Sequence, residues 1–310
     1  MSNKLRIWVA LLSIYLIWGS TYLGIRVAIE TIPPFLMGGI RFLIAGSVLY
    51  LLRRARGDRT PTPLQWRAAA VVGLFLIGGG NGSVVWAEQR VPSGITALVI
   101  GMTPLWIVLF DWLRPGGRKP HPRALMGVLI GFAGILLLVG FKNIAGGGSI
   151  DPLGAAVILF GTLNWAVGSL YGRTAPVPRS PFLATGVEML AGGAVLLLLG
   201  TVTGQWSSFD PSAISTRSLL ALGYLIVFGS WIAFSAYVWL LRNAPTPLVA
   251  TYAYVNPIVA IFLGSLLADE PLTPRVLLAA AIILTAVVLT TTARTSAPRP
   301  APDEATASAE

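Results

Sequence analysis

Ten apolar stretches, separated by short charged or proline-rich segments, run along this chain near residues 7–28, 35–52, 68–87, 94–113, 124–141, 153–172, 182–202, 219–241, 248–267 and 276–292. Each has the length of a helix that crosses a bilayer, about 17–25 residues. They are twice as long as a barrel strand and lack its strict alternation, so helices are predicted rather than strands. The first stretch follows Lys4 and Arg6. It is longer than the core of a signal peptide and offers no small-residue cleavage site near Trp18 to Ile25, so it reads as a retained helix. Residues 293–310 are rich in Ala, Pro, Ser and Thr and read as a disordered tail.

The pattern repeats. At an offset of 147, Trp18 falls on Trp165, Arg26 on Arg173, Pro34-Phe35-Leu36 on Pro181-Phe182-Leu183, and Gly39 and Gly46 on Gly186 and Gly193. At an offset of 153, Trp86 falls on Trp239, Pro92 on Pro245, Ala97 on Ala250 and Pro104 on Pro257. The six-residue difference fits a longer loop between Thr203 and Arg217. The expected organisation is a five-helix repeat over 1–140, a periplasmic linker over 141–151, a second five-helix repeat over 152–292 and a cytoplasmic tail over 293–310.

Composition agrees. Charged residues make up 11% of the 310 positions and hydrophobic ones 55%, with a mean hydropathy of +0.76. A soluble domain carries about 25% charged residues, so most of this surface faces lipid. No cysteine is present and the single histidine, His121, lies in a loop. No metal site or cofactor is expected. The net charge of +10 comes from Lys and Arg gathered between the apolar runs. Placing the loops alternately on two sides puts sixteen basic residues on one side and five on the other, with Arg41 inside a helix. That bias puts both termini in the cytoplasm and removes nucleic acid as the reason for the charge. Five helices per repeat is an odd number, so the second repeat enters the membrane from the opposite side. The predicted fold is an all-α membrane protein of ten transmembrane helices in two inverted five-helix repeats.

Inverted repeats provide a route to alternating access, in which a central site faces one side and then the other. The candidate path is drawn from polar and aromatic residues inside the helices. Arg41 lies about 10 Å from the outer end of the second helix at 1.5 Å per residue, and its partner at the 147 offset is Glu188 in the seventh. Burying either charge costs about 3 kcal/mol on insertion scales, so each is a functional candidate. Arg41 suits an anionic or carboxylate-bearing substrate through forked hydrogen bonds. Glu188 is a candidate carrier of a coupling proton, since desolvation favours the neutral form of a carboxyl group.

Pro104 and Pro257 remove backbone donors within helices four and nine, and Thr103 and Asn256 precede them. Trp18, Tyr22, Trp165, Tyr254, Asn81 and Asn164 complete the candidate lining. Trp86, Trp231, Trp239 and Tyr252 are read as belonging to the interfacial belt rather than the lining. Glu88 and Asp111 sit near helix ends and are expected to reach the headgroups. Gly127, Gly131 and Gly134 form a close-packing stripe. Residues 77–83, IGGGNGS, lack the Gly-Lys-Ser/Thr ending of a phosphate loop.

The stretches IWGSTYLGIRVAIETIPPFLMGGIRF, MTPLW and YVNPIVAIFLGSLLADEPLT together resemble the EamA-type transporters of the drug/metabolite transporter superfamily. The resemblance covers about 7–141 and 153–292. It implies ten helices, both termini inside, and export of small metabolites, amino acids or drugs. It also implies roles for Arg41 and for Glu270, whose counterpart at the 153 offset is Gly117. The expected function is secondary transport in a bacterial inner membrane, with a small molecule as substrate and proton coupling as the candidate energy source. A homodimer is left open. A membrane-embedded enzyme or a non-transporting sensor on the same fold are the alternatives. The first lacks G-x-S-x-G and H-E-x-x-H motifs, and the second lacks an output domain.

Overall fold

A computed structural model describes residues 2–113, 119–139, 150–244, 246–249 and 251–293. The linker over 141–149, the tail from 294 onward, Gly117, Pro245 and Ala250 lie outside the described residues. Among the described residues ten apolar helices follow one another: α1 Asn3–Ala28, α2 Pro34–Ala55, α3 Pro63–Ala87, α4 Ser93–Leu113, α5 Pro122–Leu138, α6 Pro152–Gly172, α7 Pro181–Val202, α8 Thr216–Leu240, α9 Tyr252–Leu267 and α10 Pro274–Thr292. The chain is an all-α membrane protein. Proline opens α2, α3, α5, α6, α7 and α10, where its missing N–H costs no hydrogen bond and its fixed φ suits the first turn. Side-chain caps add to this. Thr62 and Gln65 form a reciprocal capping box on α3, and Asp151 accepts from the Leu153 amide at the start of α6. Large apolar side chains such as Leu16, Leu129, Leu198 and Phe262 stand exposed on the outside, as a lipid-facing surface requires.

Four of the helices depart from the straight spans expected. α3 contains a π-helical segment over Leu74–Asn81, and α8 contains one over Leu225–Ile232. Their first residues are 151 apart, between the two sequence offsets. α4 stops at Ile100, turns through Gly101 and Met102, and restarts at Thr103. Pro104 therefore opens the second piece of a broken helix, whereas Pro257 lies inside α9. A separate turn of helix, Thr246–Val249, precedes α9. The stretch around 203–217 is a long loop with two short 3-10 turns, Gln205–Ser208 and Pro211–Ala213.

Helix packing looks the same when the halves are exchanged. α2 packs on α7, α4 on α9 and α5 on α10. α1 packs on α8 and α9, and its counterpart α6 packs on α3 and α4. α2 lies against α8, and α7 against α3. The α2–α7 crossing is built from the four glycines that the 147 offset relates. A Cβ on Gly46 would stand 2.9 Å from the Gly186 carbonyl oxygen, and one on Gly193 would stand 3.2 Å from that of Gly39. Only hydrogen-sized side chains allow backbones this close. Gly127, Gly131 and Gly134 serve packing alone. They face Thr290, Ala286 and Ile283 of α10, with Leu105 and Met102 of α4 beside Gly131.

Candidate functional site

The π segment of α8 organises one buried cluster. A π turn releases backbone groups from the regular ladder and is frequent at functional positions. Trp18 of α1 donates its indole N–H to the Gly229 carbonyl at 3.3 Å. Ser230, the next residue, donates to the Leu225 carbonyl five residues back, at 3.1 Å, and accepts from Arg41 Nε at 3.2 Å. Arg41 is 6% exposed and lies over the Phe42 ring at 4.6 Å. Gly229 has to be small, because a Cβ there would stand 3.1 Å from both Arg41 Nη2 and Thr21 Cγ2.

Aromatic rings close the other side. Trp18, Tyr237 and Tyr252 pack mutually, with centroid separations of 5.1, 5.4 and 5.8 Å. Tyr252 is the first residue of α9, so the cluster joins α1, α2, α8 and the start of α9. Tyr15 bonds Thr251 just before it. A groove of ≈ 490 Å³ opens beside the cluster between α1, α8 and α9, with Ser20 and Tyr224 sharing a 2.6 Å hydrogen bond along it.

The second π segment organises the corresponding place in the other half. Asn81 donates to the Leu76 carbonyl five residues back, at 3.4 Å, as Ser230 does in α8. Trp165 of α6 lies against Gly80 and is 37% exposed. Asn164 packs on Gly79 and donates to the Phe160 carbonyl at 2.8 Å. Glu188 is partly buried in α7, and its backbone carbonyl meets α3 at Gly73. Among the described residues its carboxylate has no ion pair. The first repeat thus brings a tryptophan and an arginine to the π turn of the second, and the second repeat brings a tryptophan and a glutamate-bearing helix to the π turn of the first.

The remaining candidates gather where α4 and α9 cross. A Cβ on Gly101 would stand 3.2 Å from Pro257 Cγ, so the α4 break rests on the α9 proline. Thr103 donates to the Ile100 carbonyl at 2.7 Å across that break. Asn256 is 6% exposed, and its amide oxygen has no hydrogen-bond partner among the described residues. Tyr254 points elsewhere, toward Thr291 of α10.

Two acidic residues have positions that the sequence did not suggest. Glu270 caps α4 from the far half. Its Oε1 accepts from the Ser93 amide at 2.6 Å and its Oε2 from the Gly94 amide at 3.0 Å. A carboxylate on a helix N-terminus gains both the orphan donors and the helix dipole. Glu88 does not reach the surface. It is 0% exposed, whereas the sequence places it among headgroups. Its neighbour Arg26 donates to the Glu88 backbone carbonyl and leaves the carboxyl free. The residue 153 positions after Glu88 is Leu241. The mismatch between repeats that singled out Arg41 could have found it. Asp111 is half-buried near the end of α4.

The chain matches the EamA-like transporter family twice, over residues 5–140 and 152–292. It is 42% identical over 276 residues to the uncharacterised inner membrane transporter YedA of Escherichia coli (strain K12), covering 89% of this chain and 87% of that one. It is 25% identical over 284 residues to the uncharacterised transporter YvbV of Bacillus subtilis (strain 168), covering 91% and 90%. It is 27% identical over 279 residues to the protein PecM of Dickeya dadantii (strain 3937), covering 87% and 86%. A solved crystal structure matches with a TM-score of 0.62 at 24% identity, covering 94% of this chain and 99% of that chain, which speaks to the fold alone.

Proposed function

The chain belongs to the EamA-like transporter family, and on that premise we propose that it is a secondary exporter of small metabolites, amino acids or drugs in a bacterial inner membrane. Both termini face the cytoplasm, the two five-helix units lie in opposite orientations, and proton movement drives the cycle. The observation that carries this reading is the doubled constellation of tryptophan, charged residue and π turn, on helices whose packing survives exchange of the halves. Units of like shape and opposite orientation can trade conformations around a fixed centre. The broken α4 and the proline-bearing α9 meet at that centre, where discontinuous helices border a substrate path.

In this reading Arg41 binds the anionic group of the substrate. Its Nε is held by Ser230, which leaves the forked end of the guanidinium for two parallel hydrogen bonds. Trp18, Tyr22 and Tyr252 offer ring faces to the rest of the molecule. Glu188 holds a proton on the cytoplasmic half. The pairing of α1, α2, α8 and α9 around Arg41 against α6, α7, α3 and α4 around Glu188 gives each half its own gate.

The test is flux in proteoliposomes across a panel of amino acids, organic acids and cationic drugs, with an imposed pH gradient. Arg41→Gln should reduce flux of the transported compound at least tenfold while the purified protein keeps its helical circular dichroism. Unchanged flux in Arg41→Gln would remove arginine from the path. The absence of gradient-driven flux for every compound in the wild type would remove the exporter reading itself.

A further inference from the structure

Among the described residues, Glu88 is the most thoroughly enclosed charged side chain that nothing above has used. It follows the last residue of α3 and is 0% exposed, and neither carboxyl oxygen has a hydrogen-bond partner among the described residues. A carboxylate in that position would forfeit its hydration and gain no hydrogen bond in return. The groups that act on it come from three elements: Tyr22 and Arg26 on α1, Arg41 on α2 and Glu270 beyond α9. None forms an ion pair with it within 4.0 Å among the described residues. Arg26 is turned to its backbone carbonyl, Arg41 to Ser230, and Glu270 to the α4 amides.

Nearby on the chain, in the first turn of α4, the Ser93 and Thr96 hydroxyl oxygens are also buried and unpartnered. Burial pushes the Glu88 carboxyl well above the ordinary carboxylate range, the Glu270 charge adds to this, and Arg26 and Arg41 oppose it.

We infer that Glu88 is a proton-binding site on the outer half of the protein, occupied in the closed form seen here and emptied when that half opens to water. The proton is the occupant that fits. The carboxyl oxygens are sealed from solvent, and a proton needs no space beyond the carboxyl group itself. Two guanidinium groups near the site oppose a metal cation. Opening exposes Glu88, the carboxyl ionises in water, and the proton leaves to the outside. Closing requires one to return. The coupling role rests on the exporter reading, whereas the protonation does not.

Infrared pH-difference spectra of the purified full-length protein test the site without any substrate. At neutral pH the wild type should show the carbonyl stretch of a protonated carboxylic acid that disappears as pH rises. Glu88→Gln should remove one such band, and Glu188→Gln should leave that particular band in place. Glu88→Asp should move its frequency, which keeps the assignment testable if the amide variant fails to fold. A band unaltered by both substitutions at position 88 would overturn the proposal. So would a titration that shifts when sodium chloride replaces choline chloride, because a metal cation would then compete for the site.

In proteoliposomes a pH difference of one unit supports up to about a tenfold substrate gradient for one-proton exchange. Glu88→Gln should abolish that accumulation and spare exchange of labelled for unlabelled substrate. Accumulation that persists in Glu88→Gln would also overturn the proposal. If the wild type moves no compound while the infrared band behaves as stated, the exporter reading fails and the proton site stands.

Discussion

Arg41 and Glu270 show how one side chain can tie two halves of a chain together. Glu270 supplies two charge-assisted hydrogen bonds to the α4 N-terminus from beyond the end of α9. Removing a cap of this kind costs about 0.5–2 kcal/mol. Glu270→Ala should therefore lower the thermal unfolding midpoint of the detergent-solubilised protein by a few degrees. Glu270→Gln, which can still accept one of the bonds, should lower it less. Gly229 offers a complementary test near Arg41. Gly229→Val would press on the guanidinium, which a Cβ approaches to 3.1 Å. It should slow transport several-fold with little change in the unfolding midpoint. At this scale the sequence was only partly legible. Arg41 stood out as a charge deep within an apolar run. Glu88 lies one residue past the end of its run, where a carboxylate normally finds water, and only the folded chain around it removes that water. Glu270 carried no sign of its target, since Ser93 and Gly94 are 177 and 176 positions away.

The α2–α7 pair and the two π-containing helices carry the argument at the level of elements. The glycines at 39, 46, 186 and 193 were visible as matched positions, and their shared purpose became clear once α2 and α7 were seen to cross there. Gly46→Leu and Gly186→Leu should each fail to give a folded, monodisperse protein, because the larger residue meets backbone atoms about 3 Å from its first carbon. Gly223→Ala in α8, where a Cβ meets nothing within 4 Å, should be neutral or slightly stabilising. Size-exclusion profiles of the three variants decide this. The π segments had no signature in the apolar pattern. A single extra residue in a helix changes no hydrophobic count, and with one π segment of equal length in each half it leaves no trace in the offsets either. Pro104 was expected within a continuous helix four, and it instead opens the second piece after the break at Gly101–Met102. A proline that opens a helix and one that kinks it look alike without the preceding turn.

Across the whole molecule the account depends on one relation. The main helix pairs of one half recur between counterparts five places away, and the proposed cycle requires the counterparts to run in opposite directions across the membrane. The ten apolar runs and their duplication were legible because lipid demands long unbroken stretches and because tryptophan, proline and glycine tolerate few replacements. The direction of each unit rests on the loop charges alone. The absence of native cysteine makes direction directly measurable. Thr60 lies between α2 and α3, Ser207 lies between α7 and α8, both are exposed, and they are 147 positions apart. Single Thr60→Cys and Ser207→Cys variants, treated with a membrane-impermeant thiol reagent, give the measurement. In intact spheroplasts Ser207→Cys should be labelled and Thr60→Cys protected, with labelling of Thr60→Cys only after the membrane is opened. Labelling of both from the same side would place the two units the same way up and contradict the account.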